Sequence, residues 1–210
     1  PVPIPMTTLF YVHDPMCSWC WAFRPTLLIL RQALPRKIAF KTLLGGLAAD
    51  SSEPMTAELQ VQLQNTWRRI QEKLPETRFN FDFWRNNQPR RSTYPACRAV
   101  IATRLLDPVK EEMMLRAIQE AYYLHAKNPS NTEVLVQLAD NIGLEAGRFT
   151  QLMDAQSTQG LLDDDIHQSR LLGVNSFPAL VLQRGAGYWP VPVDYHHSKP
   201  MLEAIELLCD

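Results

Sequence analysis

The chain has 210 residues, 46% of them hydrophobic, enough for one large domain or for a smaller domain carrying an insertion. Its 21 basic and 22 acidic side chains leave a net charge of −1, which supplies no basic field for nucleic acid or for an anionic membrane surface. No run of about 18 apolar residues offers a membrane span, and four cysteines are too few for a disulfide scaffold. A reducing, cytoplasmic compartment is therefore expected. Residues 1–6 lack a basic end followed by an apolar stretch, so no signal peptide is expected there.

Along the chain, residues 8–13 are apolar and rich in β-formers and predict a buried strand. Asp14-Pro15 marks a turn, and an amphipathic helix follows through Leu34. Residues 38–44 predict a second strand, parallel to the first because a helix connects them. From 51 to 157 strand signals all but vanish. Helices are expected at 54–74 with Ser52 as cap, at 94–106, and at 108–126 with Asp107 as cap. Two more are expected at 132–142, capped by Asn131 or Thr132 and stopped by Gly143, and at 145–153. A helix at 158–172 ending at Gly173, a strand at 179–183 and a turn at 185–187 come next. An edge strand at 188–191, interrupted by Pro190, and a closing helix at 198–209 complete the order.

The order β-α-β, then helices, then α-β-β-α predicts an α/β chain: a thioredoxin fold with a large helical insertion. Its core comprises 7–50 and 158–210, and the inserted helical domain 51–157.

Cys17-Ser18-Trp19-Cys20 falls where the first strand gives way to the first helix. There the first sulfur faces unpaired backbone N–H groups and the positive end of the helix dipole. Both favour thiolate over thiol and make Cys17 a nucleophile. Cys20, one turn on, can close a disulfide with Cys17 or resolve a mixed disulfide formed on it. Half a zinc site has the same spacing, but zinc needs two more ligands, and Cys97 and Cys209 form no second CxxC; no metal is expected.

Trp19 is expected beside the sulfur, where it contacts substrate, and Trp21 in the core. Ser18 donates a weak hydrogen bond to a Cys17 thiolate. His13 is open to two readings, an imidazolium that modulates Cys17 or a strand-end histidine satisfied by backbone. Cys97 reads as a small buried hydrophobe before a third redox cysteine, Cys209 carries no role, and Asp163-Asp164-Asp165 reads as a solvated helix face. Far downstream, Phe177-Pro178 stands at the entry of a strand after a turn, a place where a cis peptide is plausible.

Three motifs carry a resemblance over nearly the whole chain: Asp14-Pro15-Met16-Cys17-Ser18-Trp19-Cys20-Trp21, Thr93-Tyr94-Pro95-Ala96-Cys97-Arg98-Ala99, and Gly173-Val174-Asn175-Ser176-Phe177-Pro178. The chain resembles the DsbA-type thiol–disulfide oxidoreductases of the thioredoxin superfamily, in particular the FrnE-like branch. The resemblance implies a cis-proline at Pro178 packed beside the CxxC. It also implies a substrate-contacting residue at Phe177, where the family more often has a small or β-branched one.

The activity implied is thiol–disulfide exchange as oxidase, reductase or isomerase, with Cys17 and Cys20 catalytic and Trp19, Phe177 and Pro178 binding substrate. Partners would be protein or small-molecule thiols and disulfides, glutathione among them, with no cofactor, nucleic acid or membrane. Two alternatives stand beside it. One is a glutathione-dependent transferase or isomerase of the kappa-class type on the same fold, which typically has serine at the first position and no CxxC pair. The other is a non-catalytic thioredoxin-like binding module.

Overall fold

The computed structural model describes residues 7–209, so the reading of residues 1–6 lies outside the described residues. Strand β1 (Thr7–His13) runs parallel to β2 (Ile38–Leu44), with Leu9 opposite Phe40 and Val12 opposite Leu43. The parallel pairing requires a crossover, and helix α1 (Ser18–Ala33) supplies it. On its other edge β1 pairs antiparallel with β3 (Ala179–Arg184), which pairs antiparallel with the edge strand β4 (Gly187–Val191). The sheet order is β2-β1-β3-β4. Pro190 lies on the outer strand, where a missing N–H costs no ladder bond.

Strand β1 is central and covered on both faces, which is why its sequence is continuously apolar rather than alternating. Its side chains still divide with period two. Leu9 and Tyr11 enter a core with Phe23, Leu27 and Leu30 of α1 and with Met201 and Ile205 of the closing helix, while Phe10 and Val12 enter one with Leu43 and Val181.

Between β2 and β3 the described residues form helices. These are α2 (Ala57–Lys73), the short α3 (Phe83–Asn86), α4 (Tyr94–Leu106), α5 (Glu111–Tyr123), α6 (Thr132–Asn141), α7 (Ala146–Met153) and α8 (Gln156–Leu171); α9 (Lys199–Cys209) closes the chain. This is the thioredoxin fold with a helical insertion. The insertion has its own core, in which Val100 and Ile101 of α4 meet Met114 and Ile118 of α5, Leu135 of α6 and Phe149 of α7. A fourth, aromatic cluster centred on the fully buried Trp67 joins α2 to Phe79 of the loop that follows it and Phe83 of α3, to Tyr122 and Tyr123 of α5, and to α1 through Ala22.

Several boundaries differ from the sequence reading for local reasons. Helix α2 is capped by Thr56, whose hydroxyl accepts Leu59 N–H, and not by Ser52. The chain before it is held extended, with Met55 N–H bonded to Pro89 O and Pro54 bridged to Arg90. Residues 108–126 do not form one helix. Asp107 does cap, but it caps a 3-10 turn at Pro108–Lys110, and α5 stops at Tyr123. Ala126 then adopts a left-handed φ of 53°, and its carbonyl accepts a hydrogen bond from Asn87. Gly143 and Gly173 end α6 and α8 in the left-handed region, at φ of 76° and 77°. The three-aspartate run is not a uniformly solvated face. Asp165 is largely buried, accepts Leu44 N–H at 3.2 Å and lies 3.8 Å from Arg104, tying α8 to the end of β2 and to α4.

Candidate functional site

The site is built where β1 ends and α1 begins. Asp14 makes the turn: its Oδ1 accepts Met16 N–H at 2.8 Å, and its carbonyl accepts Cys17 N–H at 3.1 Å. Cys17 is then the N-cap of α1, extended at φ −81° and ψ 115°, and its sulfur accepts Cys20 N–H at 3.4 Å. It does with sulfur what a serine or aspartate oxygen does at other helix starts, and it stands at the positive end of a 16-residue helix. On the other side, Cys17 Sγ lies 3.6 Å from Phe177 O.

The two cysteines divide sharply. Cys17 is 7% exposed and opens onto a groove, whereas Cys20 has no exposure at all. Burial pushes the Cys20 thiol well up, and the neighbouring Cys17 adds to the rise. One sulfur is therefore reachable and the other is a protonated thiol held behind it. Both are unbridged.

The groove at Cys17 has a volume of about 300 Å3 and is walled by Trp19, Arg91, Tyr122, Asn175 and Phe177 among others. Trp19 is half-buried and rests on Tyr195, ring centres 5.1 Å apart, with Lys73 Nζ 5.8 Å from its ring centre. Ser18 also lines the groove, and its hydroxyl accepts Trp67 Nε1–H at 3.0 Å, which couples the CxxC turn to the aromatic cluster. Trp21 is half-buried rather than a core residue; its indole N–H donates to Arg78 O at 3.1 Å. The Phe177–Pro178 peptide is cis. The Phe177 ring occupies the place a side chain on residue 45 would need, since a Cβ there would lie 2.1 Å from its Cε1. Gly45 thus permits the loop bearing Phe177 to close onto β2.

A second expectation is corrected. His13 is not an imidazolium beside Cys17. It is 2% exposed, stacks on Tyr11 with ring centres 4.8 Å apart, and is held neutral by burial and by the Arg104 charge, its pKa lowered to about 3. Neither is it satisfied by backbone, as its Nδ1 has no hydrogen-bond partner among the described residues.

The residue that sequence reasoning undervalued is Asp14, taken only as a turn marker. It is fully buried, and its Oδ2 accepts Leu47 N–H at 2.8 Å, Thr93 Oγ1–H at 2.7 Å and the Cys97 thiol at 3.5 Å. Burial raises its carboxyl from the usual range while these donors oppose the rise. Asp14 clasps the insertion to the core directly beneath the CxxC. Its grip on the insertion, Thr93 and Cys97, lies in the second motif.

A family model described as Thioredoxin matches residues 10–186. The chain belongs to that family. A candidate protein disulfide isomerase from Nitrosomonas europaea superposes with a TM-score of 0.83 at 26% identity, covering 97% of each chain. The cytosolic disulfide reductase DsbM of Pseudomonas aeruginosa gives 0.77 at 22% identity, covering 96% of this chain and 98% of its own. That reductase also has a structure with GSH, at a TM-score of 0.74. Among curated proteins, the ClpXP adapter protein SpxH of Halalkalibacterium halodurans is 26% identical over 172 residues, which cover 80% of this chain and 56% of that protein. Its Bacillus subtilis counterpart is 23% identical, with 82% and 56% covered. The chain thus spans little more than half the length of the curated relatives it matches. The described residues hold no helix long and apolar enough to cross a membrane.

Proposed function

We propose that this chain is a thiol–disulfide oxidoreductase of the FrnE-like branch, with Cys17 as nucleophile and Cys20 as resolving thiol. The observation that carries the reading is the pairing of an N-cap sulfur open to a groove with a fully buried sulfur one turn behind it. In the reducing direction Cys17 thiolate attacks a substrate disulfide, forming a Cys17 mixed disulfide and releasing one substrate thiolate. Cys20 then loses its proton and attacks Cys17 Sγ. The second substrate thiolate leaves, and the enzyme pair is oxidised as the substrate is reduced. The oxidising direction is the reverse.

Trp19 and the Phe177–Pro178 loop would hold the substrate, with Phe177 backbone pairing to an extended partner. A groove of about 300 Å3 with Arg91 on its wall suits a small anionic peptide thiol such as glutathione, and the Pseudomonas reductase solved with GSH supports the same partner. That relative's description as cytosolic supports a cytoplasmic location. Cysteine at position 17, rather than serine, disfavours the kappa-class alternative.

The test is trapping. Cys20→Ser incubated with glutathione disulfide should accumulate a mixed disulfide on Cys17, read by peptide mass mapping, and Cys17→Ser should accumulate none. An adduct on Cys97 or no adduct overturns the assignment. A reduction potential near about −270 mV would then assign reductase and one near about −120 mV oxidase. The curated SpxH names favour a second reading, an adapter that binds a protein partner without exchange chemistry. In that case Cys17→Ser would retain partner binding and cellular role in full.

A further inference from the structure

Trp19 and Phe177 wall the Cys17 groove of about 300 Å3, and they also wall a second hollow of about 250 Å3, completed by Lys73, Leu74, Tyr195 and His196. With two walls in common, the hollows form one trough across the CxxC turn. The chain carries 22 acidic and 21 basic side chains, yet no carboxylate lies on either wall. Arg91 lines the first hollow and Lys73 the second, so the trough is cationic on both sides of Trp19 and Phe177.

Neither cation is engaged by a carboxylate of the protein. Among the described residues, Arg91 and Lys73 enter none of the ion pairs. Lys73 is exposed, but its Nζ lies 5.8 Å from the Trp19 ring centre, and this cation–π contact holds the ammonium over the trough. Arg91 is half-buried, and its planar guanidinium matches a carboxylate through two parallel N–H donors. Between them stands the reacting centre. Phe177 O is 3.6 Å from Cys17 Sγ, so the backbone available to an extended partner lies beside the sulfur. An extended chain advances about 3.3 Å per residue, and a cysteine paired there projects its two ends in opposite directions.

We propose that Arg91 and Lys73 determine specificity, each taking one carboxylate of a disulfide whose reacting cysteine has a carboxylate on either side. The proposal rests on the oxidoreductase reading above and deepens it. Exchange at Cys17 selects small peptide disulfides that are anionic at both ends, the class of glutathione disulfide, over neutral or cationic ones. Arg91 acts as a two-donor fork and Lys73 as a point charge. Anchors on both sides of the sulfur hold it in line for attack, as one anchor cannot. Cys17 thiolate then bonds to the held sulfur, the substrate S–S bond breaks, and the other half leaves as thiolate.

The experiment measures adduct formation on Cys17 in the full-length Cys20→Ser protein, where the adduct persists, by acid quench and mass spectrometry at varied disulfide concentration. The probes are glutathione disulfide, neutral hydroxyethyl disulfide and cationic cystamine. Each rate is divided by that of the same disulfide with 2-mercaptoethanol, which removes leaving-group differences. Glutathione disulfide should be preferred over hydroxyethyl disulfide about 30-fold, with cystamine slowest. Adding Arg91→Gln should cut that preference about tenfold and Lys73→Gln about threefold, both through the half-saturating concentration and not the limiting rate. The combined variant should lose it, because anchors on separate walls add. Lys73→Arg should retain it. If Arg91→Gln does not fold by circular dichroism, the exposed Lys73→Gln decides. A preference below about threefold in the parent protein, or one unchanged in either folded variant, overturns the proposal. A parent that forms no adduct with any of the probes overturns instead the oxidoreductase reading.

Discussion

Cys17 and Cys97 each sit at the start of a helix, α1 and α4, and both belong to short motifs that stand out in the sequence. Their sulfurs meet opposite surroundings. Cys17 is the cap residue itself, outside the first turn, so its side chain turns back over the helix end, accepts Cys20 N–H and borders the groove. Cys97 is the fourth residue of α4, already inside the helix, has no exposure, and donates to the Asp14 carboxylate. Burial and the Asp14 charge together push the Cys97 thiol well up. Proximity to a helix N-terminus therefore does not make a reactive thiol. What differs is position at the cap, together with what faces the sulfur from across the site. The same aspartate links the two starts, closing the turn before Cys17 and gripping the first turn of α4.

The contrast is broken most directly by alkylation. Cys17 should react with iodoacetamide about 1,000-fold faster than Cys97 at neutral pH, because Cys97 reacts only after a local opening of about 4 kcal/mol. Timed labelling with peptide mapping measures both rates. Comparable rates would mean that α4 opens readily and that the two starts differ little.

Removing the link is the next largest effect. Asp14→Asn replaces a carboxylate oxygen that accepts three donors with a group that cannot accept them all. A loss of about 3 kcal/mol is expected, comparable to breaking a buried charge-assisted network. For a chain of this size that lowers Tm by about 10 °C. A melting curve unchanged within about 2 °C would show that the insertion is held by its aromatic contacts alone.

A third variant addresses what lies across from Cys17. Gly45→Ala places a methyl where the Phe177 ring sits, and overpacking of this kind costs about 2 kcal/mol. Adding Phe177→Leu should recover part of that loss, since the two changes share one space. Simple additivity in thermal denaturation would show that Phe177 does not depend on the glycine.

The sequence made the site legible to the extent that local chemistry did. The strand–CxxC–helix order and the place of Cys17 at the helix start follow from residues close together in the chain. Phe177 could be paired with Cys17 only through the family resemblance, because 160 residues separate them. The role of Asp14 was out of reach, since its donors Leu47, Thr93 and Cys97 come from two other segments and nothing local announces them. The insertion was legible as helices, whereas its boundaries turned on long-range events such as the Pro54–Arg90 bridge and the Asn87 bond to Ala126.

His13 gives the smallest effect and separates the strand end from the helix start it adjoins. Burial first, and then the Arg104 charge, lower its pKa to about 3, against an ordinary value of 6.5. A histidine depressed in the folded state binds fewer protons there than in the unfolded chain at every pH between those values. Its contribution to stability is therefore complete above pH 6.5 and is lost as the pH falls toward 3. Between pH 6.5 and 5.5 the loss should be about 1 kcal/mol. Asp14, with its carboxyl raised, works in the opposite sense in acid, so the comparison must be made against a variant and not against pH alone. His13→Phe keeps a ring stacked on Tyr11 and removes the titration. Denaturant unfolding of wild type and variant at the two pH values should differ by that amount, while the alkylation rate of Cys17 stays unchanged. An alkylation rate that falls in His13→Phe would return the imidazole to the site as a modulator of Cys17.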